Sequence, residues 1–406
     1  MTGAFVEVGY AQENKRGQRV PGDTFISQRD PATGRVISAL SDGLGSGIKA
    51  NVLATLTATM ALKGVADGTP IEKTAQLIMR TLPVCRERKI SYATFSIVDI
   101  PSLGKVRIIE YGNPSFVLFR GGESCESEHR ELLAQRRKGR GKQEVPESLA
   151  TLRLQYSEFQ AAPFDRVVFF SDGVSQAGMG GRAHPFGWGR DGAVARMREI
   201  LGENPGVSAR ELARLTVQEA LMRDGYSAKD DISCGVIYFR EPRQLLVLTG
   251  PPFDKGRDAE AGRIVAEFKG RKIIAGGTTA NLVARELGRS VAVDLRRLDK
   301  SVPPGATMEG VDLVTEGIIT LGHIASTLES RAEGSRSSLS LSNPADQVVE
   351  MLLESDSIRF VVGTRINEAH QDPSMPGNLE IRRNVVKRIA AILEGKYLKD
   401  VTIDLI

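Results

Sequence analysis

Three acidic turns in this chain have the residue types and spacing to do chemistry: Ser41-Asp42-Gly43, Ser171-Asp172-Gly173 and Lys229-Asp230-Asp231-Ile232-Ser233. The first two close apolar, β-leaning runs at residues 36–40 and 167–170. The third opens one at residues 233–239. A sheet aligns the ends of its strands, so carboxylates placed there can stand close together. Two or three such groups bind Mg²⁺ or Mn²⁺ through oxygen and leave waters in the remaining positions. A glycine after the aspartate lets the backbone approach, and its carbonyl becomes a further ligand. Two ions held in this way can polarise a phosphate and turn a bridging water into a nucleophile. A single Asp-Gly is more often only a turn, and Asp230-Asp231 alone can be a cap, so the weight lies in the trio. No Cys or His nucleophile is evident, and this chemistry needs none.

The elements that must position these acids can be read in order. Residues 3–10 form a short edge strand, and residues 12–22 a polar, basic loop with Lys15, Arg16 and Arg19. The loop ends in Pro21-Gly22-Asp23, a turn with an acid at its exit. Residues 24–28 and 35–40 make a hairpin. Residues 48–63 read as a helix with Leu53, Leu56, Met60 and Ala61 on one face, and residues 70–82 as a second with Ile71, Ala75, Ile78 and Met79 inward. Strands follow at 93–100, 105–111 and 115–120. Residues 121–149 break the pattern; their basic run, 136–142, reads first as a solvated loop and second as a dock for an acidic partner. Strands at 152–159 and 166–170 lead to the second acidic turn. Residues 178–192 are glycine-rich and suit a flap beside a site. Helices at 191–202 and 208–224 and a strand at 233–239 complete a layered α+β domain.

Composition narrows the function classes. The 406 residues suffice for two or three domains, and a net charge of +4 is small for that length. No aromatic-basic interleaving suggests nucleic acid. The three cysteines lack C-x-x-C spacing and the four histidines are scattered, which argues against disulfides and structural zinc. No signal peptide is recognisable, and no apolar run approaches the ~20 residues of a membrane helix. The expectation is a soluble, cytoplasmic protein without nucleic-acid or membrane partners, with homo-oligomerisation left open.

The motifs Ser41-Asp42-Gly43-Leu44-Gly45-Ser46-Gly47, Gly112-Asn113-Pro114-Ser115-Phe116, Phe170-Ser171-Asp172-Gly173-Val174 and Asp230-Asp231-Ile232-Ser233, with Pro21-Gly22-Asp23, resemble those of the SpoIIE branch of the metal-dependent (PPM) serine/threonine protein phosphatases. The resemblance spans about residues 3–240. It implies a β-sandwich flanked by helices and a binuclear Mn²⁺ or Mg²⁺ centre that hydrolyses phosphoserine or phosphothreonine on a protein. It also implies roles. Asp42 bridges both ions and Gly43 gives its carbonyl. Asp172 and Asp230 bind the first ion, beside Asp231. Asp23 acts through a water, and Arg19 is the candidate for holding substrate phosphate. An antagonist of an anti-sigma factor is the implied kind of substrate. Two other readings stand beside this one: a phosphatase of small phosphoesters, and a non-catalytic sensor that uses the fold as a scaffold.

Beyond a boundary at residues 241–244, strand and helix alternate. Residues 245–406 therefore read as a smaller α/β, Rossmann-like domain with a mainly parallel sheet, regulatory or ligand-binding. Its Gly276-Gly277-Thr278-Thr279 joins a strand to a helix and could receive a small anionic ligand, although a plain tight turn is the stronger reading. Thr315-Glu316-Gly317 and Gly363-Thr364-Arg365 also end strands and would share that sheet edge.

Overall fold

Alternation along single strands explains why the first part of the chain builds four layers. In β10 (Arg166–Phe170), Val167 and Phe169 pack into one apolar cluster, while Val168 and Phe170 pack into another on the opposite face. In β3 (Val36–Gly43), Val36 and Leu40 join the first of these clusters, and Ile37 and Ala39 join a third. Strands apolar on both faces must be covered on both faces. Each fully buried Phe or Leu adds roughly 1.5–3 kcal/mol over an exposed one.

The computed structural model describes residues 5–45, 47–82, 93–102, 104–135, 151–293, 303–332, 339–340, 342–365 and 378–406. The basic run at 136–142 and Ser46 of the first motif lie outside the described residues. The chain divides into two compact units, Met1–Glu241 and Pro242–Ile406. No helix among the described residues is long and apolar enough to cross a membrane.

In unit 1 one sheet runs in the order β1 (Phe5–Glu13), β11 (Ile232–Arg240), β10, β6 (Val117–Arg120), β7 (Glu123–Cys125). The other runs β2 (Asp23–Arg29), β3, β4 (Ala93–Ser102), β5 (Lys105–Tyr111), β9 (Thr151–Gln160), β8 (Arg130–Gln135). Leu40, Val98 and Ile108 of the second sheet meet Val167, Phe169 and Ile237 of the first in the cluster between them. The helices α1 (Ile48–Ala66) and α2 (Ile71–Thr81) cover the outer face of the second sheet. Beyond the short turn of helix α3 (Asp172–Ser175), α4 (Gly189–Glu203) and α5 (Ala209–Arg223) cover the outer face of the first. The result is a β-sandwich flanked by helices.

Three details depart from the sequence reading. β7 and β8 fall in the stretch expected to be irregular. Helix α1 buries Ala61 and packs Met60 on the core as expected, but it also buries Ala50, Ala54, Thr57, Ala58 and Val65 while Leu56 is exposed, because the helix lies close on the sheet, with the Ala50 carbonyl against Gly43. Trp188, assigned to the flap, is buried in the core beneath α4.

Unit 2 holds a sheet in the order β14 (Val291–Val293), β15 (Ala306–Met308), β16 (Val311–Thr315), β13 (Arg271–Ala275), β12 (Gln244–Thr249), β17 (Ser357–Val362), β18 (Asp400–Leu405). The five strands from β16 to β18 are parallel, and β14 and β15 extend the edge antiparallel. Helices α6 (Asp258–Glu267) and α7 (Gly277–Leu287) pack on one face; α8 (Ile318–Ala332), α9 (Pro344–Glu354) and α10 (Asn378–Tyr397) pack on the other. This is a doubly wound α/β unit with a mainly parallel sheet.

Candidate metal centre

The site is built where strands end. β2 starts at Asp23 and β3 ends at Asp42-Gly43, so the ladder sets Asp23 directly opposite Asp42. The first acidic turn is thus not a turn at Asp42: the aspartate is still paired in the sheet, with Thr94 of β4 on its other side. In the other sheet β10 ends at Phe170 beside the start of β11, with Phe170 opposite Cys234. Ser171 N–H donates to the Ser233 carbonyl (3.0 Å), and Ser233 N–H donates back to Ser171 Oγ (3.1 Å). Asp172 then opens helix α3, and Asp230-Asp231 immediately precede β11. Both glycines are sterically required. A Cβ on Gly43 would lie 2.1 Å from the Ala50 carbonyl oxygen, and one on Gly173 2.1 Å from that of Asp231.

Electrostatics tie the four acids into one cluster. Asp42 is pushed up to about 7, first by burial and then by the charges of Asp172 and Asp230. Burial and then Asp42 raise Asp23 well above the usual carboxylate range, against the opposing pull of the Ser233 and Ser171 hydroxyls. Asp23 is 2% exposed, and among the described residues neither of its carboxylate oxygens has a hydrogen-bond partner of sound geometry. Asp172 is raised by burial and Asp230, and its Oδ2 accepts from Gln176 Nε2 at 2.7 Å. Asp230 is the most open of the set and accepts from Lys15 Nζ at 3.4 Å.

Asp231 does different work. It is 4% exposed; its Oδ1 accepts from Lys15 N–H at 2.9 Å and its Oδ2 from Gly22 N–H at 2.7 Å. It pins both ends of the 15–22 loop to the start of β11 and so sets Asp23 beside the other acids. Arg19, in the same loop, is exposed and makes no hydrogen bond or ion pair among the described residues. The cation at the cluster is Lys15. Its signal in the sequence was the Lys15-Arg16 pair at the start of the basic loop, which composition could not rank above Arg19. The glycine-rich segment beyond α3 is tethered to the same corner: Gly178 N–H donates to Asp224 Oδ1 at 2.7 Å and Lys229 Nζ to the Met179 carbonyl at 2.6 Å.

The donor set suits a hard divalent cation: carboxylates, a nearby backbone carbonyl, and a buried carboxyl with both oxygens unpartnered. Among the described residues, no three Asp, Glu, His or Cys side chains stand close enough together to hold one ion.

Gly276-Gly277-Thr278-Thr279 belongs to unit 2. Gly276 N–H donates to the Thr315 carbonyl at 2.8 Å, α7 starts at Gly277, and Thr279 is buried. Gly317 of the loop after β16 packs against Gly276, so these two loops do share one sheet edge.

The sandwich and the acids at its strand ends define a class, and the comparisons give the family. The family model of stage II sporulation protein E (SpoIIE) matches residues 32–240. The chain belongs to the SpoIIE family. None of the curated proteins matches it. Among solved structures, the phosphatase domain with a regulatory fragment of SpoIIE from Bacillus subtilis is 18% identical, at a TM-score of 0.44 over 59% of this chain. The alignment covers 64% of that chain's own length. The RsbU and RsbW domains of a Mycobacterium tuberculosis protein are 14% identical, TM-score 0.44, covering 65% of this chain and 68% of that one. The catalytic domain of the serine/threonine phosphatase PstP, solved with two manganese ions, is 18% identical, TM-score 0.38, covering 58% of this chain and 98% of that one.

Proposed function

We propose that unit 1 is a metal-dependent protein phosphatase that hydrolyses phosphoserine or phosphothreonine. The observation that carries this reading is the meeting of Asp42 with Asp23, Asp172 and Asp230 at the strand ends of a SpoIIE-family sandwich. Asp42, Asp172, Asp230 and the Gly43 carbonyl would hold two Mn²⁺ or Mg²⁺ ions. Such ions supply Lewis acidity: they draw charge off phosphate oxygens and make water nucleophilic near neutral pH. The chain's own residues do the rest. Asp23, buried and directly opposite Asp42, would hold an ion through a water. Lys15 presents a cation to an incoming phosphate and reaches it from a backbone position fixed by Asp231. Asp231, with both oxygens on amides, serves in our reading as the clamp, and Asp230 as the ligand.

The substrate class we infer is a phosphoprotein of partner-switching signalling, by family membership, with an anti-sigma-factor antagonist as the narrower candidate. Hydrolysis of an aryl phosphate by purified protein, with and without Mn²⁺, tests the activity. Asp42→Ala should lower the rate at least ~1,000-fold at unchanged fold. Equal turnover by both proteins would overturn the proposal. Faster turnover of small phosphometabolites than of phosphopeptides would move the substrate class instead.

A further inference from the structure

In unit 2 the first strand of the parallel block lies at its centre. From β12 the chain winds outward to β13 and β16, then crosses back to β17 and β18 on the other side of β12. An open α/β sheet has its ligand crevice at such a reversal, beyond the carboxyl ends of the strands; here the loops after β12 and β17 touch, Arg365 N–H donating to the Pro251 carbonyl at 3.2 Å. Here two glycines bring bare backbone together. Gly250, at φ 82°, follows β12, and Gly363 follows β17. A Cβ on Gly363 would lie 2.2 Å from the Gly250 carbonyl oxygen. A Cβ on Gly250 would lie 2.3 Å from Nη1 of Arg382, a residue of α10.

The guanidinium of Arg382 is thus laid into the reversal itself. It is half-buried, and Nη1 donates to the Gly363 carbonyl at 3.2 Å. It has no other partner among the described residues. A guanidinium carries five N–H donors and a charge that burial penalises unless it is matched. Burial accordingly pulls the Arg382 pKa down, and among the described residues no carboxylate stands beside it to hold it up. The neighbouring cations are matched. Arg365 Nη2 donates to Asp258 Oδ1 and Arg285 Nη2 to Asp258 Oδ2, each at 2.9 Å.

We propose that this crevice binds the anionic group, phosphate or carboxylate, of a small ligand, with Arg382 as the charge that receives it. The site is one strand away from the Gly276–Thr279 loop that the sequence put forward, and it does not depend on the activity of unit 1. Planar, forked donors over glycine backbone suit a two-oxygen acceptor. Opening a half-buried, charge-assisted contact to an anion would exchange one weak backbone bond for several strong ones.

The test is calorimetric titration of the metal-free full chain with ADP, inorganic pyrophosphate and succinate, with hydrogen exchange to locate binding. At least one probe should bind and slow exchange in residues 250–257 and 363–365; which one tells phosphate from carboxylate. Arg382→Gln should weaken that binding roughly tenfold or more, and Arg382→Lys by less. Should Arg382→Gln fail to fold, the lysine variant decides, since it keeps the charge and loses the fork. No protection of these segments at about 10 mM of any probe, or unchanged affinity in the variants, overturns the proposal.

Discussion

Asp23 and Asp42 face each other across the β2–β3 ladder, two acids in directly paired positions of an antiparallel sheet. Paired side chains there stand about 5 Å apart at Cβ, and like charges so placed destabilise the sheet. The fold keeps them because hairpin register and strand ends leave no alternative: a shift by one residue would turn Val36 and Leu40 out of the core.

Asp23→Asn should therefore raise the stability of the metal-free protein by about 1 kcal/mol, while lowering Mn²⁺ affinity and turnover. Urea unfolding followed by the single tryptophan, Trp188 of unit 1, measures the first effect, and metal titration the second. A variant both less stable and equally active would contradict the pairing as a source of strain.

Chelation of divalent ions should lower the unfolding midpoint of unit 1 and leave unit 2 unchanged. Saturation at 100 times the dissociation constant stabilises by about 2.7 kcal/mol. Scanning calorimetry with and without Mn²⁺ separates the two units; equal shifts in both transitions would refute a site confined to unit 1.

Lys15→Met should raise KM for a phosphopeptide roughly tenfold with a smaller change in kcat, and Lys15→Arg should recover part of it. Arg19→Met should leave both constants as they are. The reverse pattern would return the phosphate-holding role to Arg19.

Asp231→Ala leaves the Lys15 and Gly22 amides without their acceptors, and Gly22 N–H is buried. The expected cost is about 2–4 kcal/mol, again read from Trp188. Asp231→Asn, which keeps one acceptor, should cost less; indifference to both changes would rule out the clamp.

Glu110 gives a pH dependence away from the acid cluster. It is 4% exposed, and burial pushes its carboxyl up to about 7, against the Phe116 amide, the Ser96 hydroxyl and Arg190, which favour the charged form. The folded state thus holds this proton more tightly than the unfolded chain, where the value is 4.5. Its contribution is fully present below pH 4.5 and is lost as pH rises through about 7, roughly 3 kcal/mol in all. Glu110→Gln should flatten the stability profile across that window; a parallel profile in the variant would show that another group is responsible.

How much of this was legible beforehand depends on which kind of signal each element left. Strands such as β10 and β11 are apolar on both faces and bounded by acidic turns, so pattern alone located them. The position of Asp42 inside the sheet was not legible, because Asp-Gly reads as a turn unless the partner strand is known. The inward face of α1 was misread since hydrophobicity favours Leu56 over Ala54, whereas close packing on the sheet favours alanine. β7 and β8 are short and polar, and only their neighbours make them strands. Lys15 and Asp231 are 216 positions apart, and no local pattern couples them. In unit 2 the alternation of strand and helix was plain, but Arg382 lies 19 positions beyond Gly363 and far along the chain from Gly250, and no local pattern couples the three.

The first strand of the chain pairs with the last strand of unit 1: Phe5 lies opposite Arg240 and Glu13 opposite Ile232. That closure has a consequence for biosynthesis. Asp23 and Asp42 emerge from the ribosome early, Asp172 and Asp230 late, and the sheet joining their neighbourhoods cannot close until about residue 240 is available. Pairings of such long sequence separation form slowly. A nascent or truncated chain therefore carries half of the acid set, and the cluster is completed in one late step rather than growing with chain length.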